Sequence, residues 1–375
     1  MIIGILKEPD FEKRVSLLPE NVKTLTSLKT NVIIEDGAGE KSFYSNKDYA
    51  ENGAIVKERA LVLNEADLII SINPLTSDEY RLLREGQAVL TAYGPLFNAD
   101  LLNFFLGHNI TSFSMDMVPR TTRAQSMDIL SSMATVAGYK AVLEAANHLP
   151  SFFPMFMTAA GTIRPSKVLV LGAGVAGLQA IATARKLGAV VEAFDVRSAV
   201  KEEVQSLGAK FIEVEGAKED SGAGGYAVEQ SDDYKQKQQE LIQQHARKAN
   251  VVIATAQIPG KKAPVLITKD TVENMMPGSV IVDLAASTGG NCELTENDKI
   301  KEVNHITIIG KSNFPSEVPS DASKMYGNNI INFMKLIIDD NGNMKLDFND
   351  DIVAGTCITY NKSIINERVK SIYKS

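Results

Sequence analysis

The stretch Lys167–Asp195, KVLVLGAGVAGLQAIATARKLGAVVEAFD, constrains the fold more than any other part of the chain. Lys167–Leu171 is a short run of leucine and valine of the kind that forms a fully buried parallel strand, and Gly172-Ala-Gly174-Val-Ala-Gly177 follows it directly. The G-x-G-x-x-G spacing therefore falls at a strand-to-helix turn. There Gly172 allows the tight turn, Gly174 lets a pyrophosphate approach the backbone, and Gly177 lets the helix pack on the strand. That helix, Val175 to about Leu187, opens with free amides and the positive end of its dipole aimed at that pyrophosphate. A second strand, Val190–Phe194, ends at Asp195, 23 residues after Gly172, where a carboxylate can accept both hydroxyls of an adenosine ribose. A dinucleotide-binding unit is the expectation. Asp195 favours NAD(H) over NADP(H), because a 2′-phosphate beside a carboxylate is repelled. Arg197 could pair with such a phosphate, but more simply flanks the adenine.

The rest of the chain predicts an α/β protein of two Rossmann-like, doubly wound domains with parallel sheets. Its 375 residues are enough for two cores. The first half alternates strands (Met1–Leu6, Asn31–Glu35, Asp67–Ile72, Ala88–Tyr93, Thr111–Ser114) with helical segments at Pro19–Leu28, Asp48–Asn52, Thr76–Glu85 and Asp100–Leu106. It has no complete phosphate fingerprint, since Gly37-Ala-Gly39 lacks a third glycine, so no dinucleotide is expected in this domain. The second domain, 138–310, is expected to hold about six strands, including Val251–Ala254, Val265–Ile267, Val280–Asp283 and Ile306–Ile309. The amphipathic helix at Tyr326–Ile338 and a hairpin-like segment at Asp339–Asp351 follow a domain already complete, so 311–375 is expected to return to 1–137. The first domain is then discontinuous.

A net charge of −7, with no Lys/Arg-rich run, argues against a nucleic-acid partner. Cys292 and Cys357 lack C-x-x-C spacing, the four histidines share no metal-ligand spacing, and no apolar run is long enough to span a bilayer. With no signal peptide before Gly4, a reducing cytoplasmic setting and no bound metal are expected.

Three further stretches carry polar groups in suggestive patterns. Arg120-Thr121-Thr122-Arg123-Ala-Gln125-Ser126-Met127-Asp128-Ile-Leu-Ser131 precedes a long helix toward His148, capped by Ser126 or its neighbours, with Asp128 and Ser131 on one face. Two readings stand: a solvated helix start with an Arg120–Asp128 salt bridge, or a polar pocket at the domain junction facing a cofactor's nicotinamide end. Glu219–Ala227, with three glycines in four residues and Tyr226 at its tip, reads either as a plain linker or as a cofactor-covering lid. Asp283, at the end of a strand, is either a positioning group or a turn acid.

Arg120–Ser132 with its RAQSMD segment, Leu171–Leu178, the GAGGYA loop at Gly222–Ala227 and Ile258–Leu266 together resemble the NAD(H)-binding α subunit, or domain I, of the proton-translocating NAD(P) transhydrogenases. The resemblance runs from Gly4-Ile-Leu-Lys-Glu-Pro to the Leu346-Asp-Phe-Asn-Asp-Asp-Ile-Val-Ala-Gly-Thr tail. It implies that Arg120, Gln125, Asp128 and Ser131 hold the nicotinamide and its ribose, with Thr121 and Thr122 as further cofactor-binding positions, that Val175, Ala176 and Gly177 supply the pyrophosphate amides, that Asp195, Val196 and Arg197 lie at the adenosine, and that Gly225 and Tyr226 form the lid. Gln238 and Gln257 fall at further cofactor-contact positions, although an apolar residue is common in the family where Gln257 stands. The implied activity is Re/Si-specific hydride transfer between NADH and NADP+. The implied partners are a second copy of the chain, an NADP(H)-binding β subunit and a small membrane-spanning α2-type subunit, which would place the chain peripherally on the cytoplasmic face of the inner membrane.

The alanine dehydrogenases share this fold and supply the competing reading. Their pattern has Lys-Glu-Pro where this chain reads Ser71-Ile72-Asn73-Pro74, and a His where it reads Ala92-Tyr93-Gly94-Pro95. Reducing a 2-oxo acid requires a proton donor near the carbonyl, whereas transfer between two nicotinamides does not. A non-enzymatic NAD-binding regulator is the third alternative.

Overall fold

A computed structural model of the chain describes residues 1–214, 232–257 and 261–373. The chain divides into two compact units, Met1–Met133 with Pro315–Ser375, and Ala134–Phe314. The first division point lies inside one long helix, Ile129–His148, rather than in a linker.

The first unit is built on a sheet of eight strands. Six come from the first third of the chain: β1 (Ile2–Ile5), β2 (Asn31–Glu35), β3 (Ala54–Lys57), β4 (Leu68–Ile70), β5 (Ala88–Thr91) and β6 (Thr111–Ser114), all parallel in the spatial order 3-2-1-4-5-6. Both faces are covered, so neighbouring residues of one strand enter different cores. Ile3, Ile5, Val32, Ile34, Leu68 and Ile70 pack with Tyr326 and Phe333 of the helix Pro319–Ile337. Leu6, Ile33 and Ile69 face the other way, with Val62 and Phe105. This explains why these strands read as continuous apolar runs. Two strands near the end of the chain, Cys357–Tyr360 and Ser363–Ile364, extend the sheet beyond β6 in antiparallel fashion. Neither they nor β3 was marked by the sequence pattern.

The second unit opens with an antiparallel hairpin, β7 (Phe156–Thr158) and β8 (Gly161–Ile163), whose residues are all exposed. Phe152, Met155, Phe156, Met157 and Ile163 form an apolar surface there, and the Phe152 and Phe156 rings meet at 4.6 Å between centroids.

The main sheet of the second unit has seven strands: β9 (Lys167–Leu171), β10 (Val190–Phe194), β11 (Lys210–Phe211), β12 (Val251–Ala254), β13 (Val280–Asp283), β14 (Ile300–Val303) and β15 (Ile306–Ile309). Their order is β11-β10-β9-β12-β13-β15-β14, with β14 antiparallel at the edge. Val265–Ile267, expected as a strand, contributes only a single bridge from Ile267 to Cys292. The segment Ile338–Met344 likewise closes through one bridge rather than a hairpin, and a short helix, Asp351–Thr356, follows it. Among the described residues no helix is long and apolar enough to cross a membrane, and no cluster of potential metal ligands occurs.

Candidate functional site

In the second unit, the turn after β9 is shaped by its glycines. Gly172 has a φ of +95°, and a Cβ there would meet the Thr255 hydroxyl at 2.6 Å. A Cβ on Gly177 would come within 1.9 Å of the Gly172 carbonyl oxygen, so the helix Val175–Lys186 reaches the strand only because residue 177 has no side chain. Gly174 differs from both: nothing lies within 4 Å of its missing Cβ. It is the helix N-cap, and no side chain caps the helix. Open space above Gly174 and uncapped amides at Val175, Ala176 and Gly177 fit the pyrophosphate of a dinucleotide.

Asp195 lies at the end of β10, with its side chain only 7% exposed. One carboxylate oxygen accepts the Ala173 N–H at 2.7 Å and Arg197 Nη2 at 3.0 Å. The other accepts the Arg197 N–H at 2.8 Å and Arg197 Nε at 2.9 Å. The Arg197 guanidinium, expected beside the adenine, therefore rests on the acid, and this hydrogen bonding raises its pKa. Val196 is half-buried next to the pair.

Across the turn, Thr255 follows β12 and donates to the carbonyl oxygens of Leu171 and Gly172 at 3.2 and 3.0 Å. Gln257 is exposed and donates to the Leu284 carbonyl at 2.8 Å, while Gln238 is half-buried on the helix Asp232–Ala246. Asp283 is fully buried and gathers the loop after β13, accepting from the backbone N–H groups of Ala285, Asn291 and Cys292 and from the Thr295 hydroxyl. It acts as a turn acid. The Asn291 that it holds in turn grips Ala256 through both its side-chain atoms. Gly138 was not singled out by sequence. A Cβ there would meet the Ala176 carbonyl at 2.1 Å, so it lets the long helix close on the start of the nucleotide helix.

The polar segment 120–131 belongs to the first unit up to Met133. Thr122–Met127 is a 3-10 turn anchored by buried Ala124 and Met127, by Arg123 on Asp350 (2.6 Å) and Asp351, and by Asn329 and Asn332, which donate to the Ser126 carbonyl at 2.8 and 3.1 Å. Asp128, rather than Ser126, caps the long helix: its carboxylate accepts the Ser131 N–H at 3.0 Å and the Ser131 hydroxyl at 2.6 Å. The expected Arg120–Asp128 salt bridge does not form; the ion pair of this segment belongs to Arg123. Arg120, Thr121, Thr122 and Gln125 are exposed, and among the described residues the Arg120 and Gln125 side chains have no hydrogen-bond partner. Gly225 and Tyr226, with the rest of the expected lid, lie outside the described residues.

Two family models cover nearly the whole chain: alanine dehydrogenase/PNT, N-terminal domain, over residues 4–137, and alanine dehydrogenase/PNT, C-terminal domain, over residues 141–367. The first portion of the NAD(P) transhydrogenase alpha subunit of Rhodospirillum rubrum is 44% identical over 364 residues, covering 95% of each chain. The chain belongs to the alanine dehydrogenase/PNT family, among the NAD(P) transhydrogenase alpha subunits. The crystal structure of a transhydrogenase from Sinorhizobium meliloti superposes with a TM-score of 0.89 at 41% identity, covering 97% of this chain and 100% of that one. An L-alanine dehydrogenase, at 24% identity and a TM-score of 0.82, covering 100% and 99%, shares the fold.

This transhydrogenase-family chain uses the two positions that distinguish alanine dehydrogenases for internal bonding. The Asn73 side chain and backbone, with the Ile72 N–H, donate to buried Glu8 at 2.6–3.0 Å. Tyr93 is 4% exposed, its hydroxyl shares a 2.8 Å hydrogen bond with Ser112, and burial pushes its pKa well above the ordinary tyrosine value.

Proposed function

We propose that the chain is the NAD(H)-binding subunit of a transhydrogenase, holding NADH for direct hydride transfer to NADP+ carried by a separate β subunit. The observation that carries this reading over the alanine dehydrogenase one is chemical. Where a keto-acid reductase needs a proton donor, this chain has an amide committed to Glu8 and a buried phenol committed to Ser112. When bound, NADH supplies the hydride. The chain's own residues bind and aim it.

Val175, Ala176 and Gly177 take the pyrophosphate on their amides, and Asp195 takes the adenosine ribose once Arg197 yields part of the carboxylate. The assignment to NAD(H) follows from that buried acid. In the first unit, Arg120 and Gln125 are uncommitted groups suited to the nicotinamide carboxamide and its ribose, presented by a turn that Arg123, Ala124 and Met127 anchor. Asp128 and Ser131 hold the helix start that positions this turn. Thr121, Thr122, Gln238 and Gln257 are further contact positions, Gly225 and Tyr226 the lid. Orientation is the main demand, because hydride transfer depends steeply on distance and angle.

The assembly we propose is a homodimer that docks on the NADP(H)-binding β subunit and on a small membrane-spanning α2-type subunit, at the cytoplasmic face of a membrane across which transfer is coupled to proton movement. The exposed apolar hairpin β7–β8 supports the homodimer, since such a surface calls for a protein partner. The test is to mix the chain with an isolated NADP(H)-binding component and follow reduction of an NAD analogue by NADPH. Binding of NADH without any transfer would leave a non-enzymatic regulator as the better reading.

A further inference from the structure

The two units repeat one hydrogen bond at the same place in the same strand order. In the second, Asp195 directly follows β10 and accepts the N–H of Ala173, two residues beyond β9, at 2.7 Å. In the first, Glu35 ends β2 and accepts the N–H of Lys7, two residues beyond β1, at 2.8 Å. An arginine lies on each acid: Arg197 on Asp195, and Arg59 on the same Glu35 oxygen that holds Lys7, at 2.6 Å. The other Glu35 oxygen accepts no hydrogen bond among the described residues, although its side chain is only 13% exposed.

That acid lines a cleft of about 320 Å³ together with Lys7, Glu8, Arg59, Ser71 and Thr76. The cleft opens at the carboxyl ends of β1, β2 and β4, where the strand order reverses, which is where open α/β sheets take their ligands. The loop after β1 lacks the features that hold a phosphate. No glycine occurs between residues 6 and 18, and Glu8 stands three residues beyond β1 where Gly174 stands three beyond β9. Glu8 is held there by three hydrogen bonds, from Ile72 and Asn73, so a buried carboxyl group fills the position a pyrophosphate would approach. The volume is at the lower end for a small-molecule pocket, enough for a nucleoside and too little for a dinucleotide.

We infer that the first unit carries a second binding site, for an uncharged nucleoside, in which the open oxygen of Glu35 accepts the ribose cis-diol. The inference does not rest on the hydride-transfer reading. Calorimetric titration of adenosine into the full chain, with and without saturating NADH, tests it. With NADH saturating the Asp195 site, saturable binding of one adenosine is expected, with AMP and 2′-deoxyadenosine at least about tenfold weaker because one brings a phosphate and the other lacks half the diol.

Measured beside NADH, Glu35→Ala is expected to lose this adenosine binding and keep NADH binding; Asp195→Ala is expected to keep it and to weaken NADH binding. Should Glu35→Ala fail to fold, amide shifts in the unmodified protein decide, at Lys7, Glu35 and Ser71 for this site and at Ala173, Asp195 and Thr255 for the other. Two results overturn the inference: no adenosine binding up to about 10 mM in the presence of saturating NADH, or equal affinity there for 2′-deoxyadenosine. Failure of NADH itself to bind would overturn the proposed function instead and leave this site standing.

Discussion

Arg197 donates three hydrogen bonds to the carboxylate of Asp195, which also accepts the Ala173 N–H, so the four acceptor positions of the acid are filled. A ribose diol can bind only by displacing part of this set, and the guanidinium side chain is the mobile member. Asp195→Ala is expected to weaken NADH binding by about 1–3 kcal/mol, the worth of charge-assisted hydrogen bonds. Because the freed Arg197 can then face a 2′-phosphate, the same variant is expected to narrow the preference for NADH over NADPH. Equal dissociation constants for the two cofactors in the parent protein would contradict the assignment.

The phosphate loop separates binding from stability. Gly174→Ala adds a methyl to open space, so melting is expected to stay within a degree or two of the parent while NADH binding falls. Gly177→Ala drives a methyl into the Gly172 carbonyl and is expected to destabilise the chain by about 1–3 kcal/mol or more. Thermal melts beside NADH titrations check both, and a stable, tightly binding Gly177→Ala would show that the helix does not need this close approach.

The two arginines of the polar segment are expected to behave oppositely. Arg123→Ala removes the anchor to Asp350 and Asp351 and should lower the melting temperature, whereas Arg120→Ala should melt normally and slow transfer. Arg123 hydrogen bonding is the first cause that holds the Asp350 carboxyl below its usual range. The contribution of that pair is therefore present above the ordinary aspartate pKa of about 3.9 and is lost as the pH falls through the lowered value. Carboxyl NMR should show the Asp350 pKa rising in Arg123→Ala while staying below the ordinary value, because the Ile352 and Val353 N–H groups still donate to it. An unchanged titration there, or a destabilised Arg120→Ala, would reverse the roles of the two residues.

What the sequence made legible was what is local. Gly172, Gly174, Gly177 and Asp195 are spaced along one strand-turn-helix-strand unit, and their pattern carries its own geometry. Arg123 is different: its partner Asp350 is 227 residues away, so the order of charges along the segment points to Arg120 and the nearby Asp128 instead. Gly138 gave no signal since its reason, the Ala176 carbonyl, belongs to another helix. β3 was missed because it is an edge strand with one buried residue in four, and Cys357–Tyr360 because it follows the helix Asp351–Thr356 without a break. The lock between Lys7 and Glu35 was hidden for the same reason as Arg123: it joins two strands through an acid that no glycine motif announces.

With pyruvate, ammonium and NADH, the chain is expected to show no alanine dehydrogenase turnover. Asn73 donates to Glu8, and the buried Tyr93 hydroxyl shares a hydrogen bond with Ser112 and is held a far weaker acid than the imidazolium it replaces. Turnover above about 1 per second, an ordinary enzyme rate, would restore the dehydrogenase reading.

The central claim is that hydride passes directly from one nicotinamide to the other while this chain holds the donor. The most direct test uses NADH deuterated at the transferred C4 position, mixed with the chain, an NADP+-loaded β component and ordinary water. The account predicts that the deuterium appears in NADPH and none in the solvent, with slower label transfer in Arg120→Ala. Loss of the label to water, or NADPH formed without it, would contradict direct transfer.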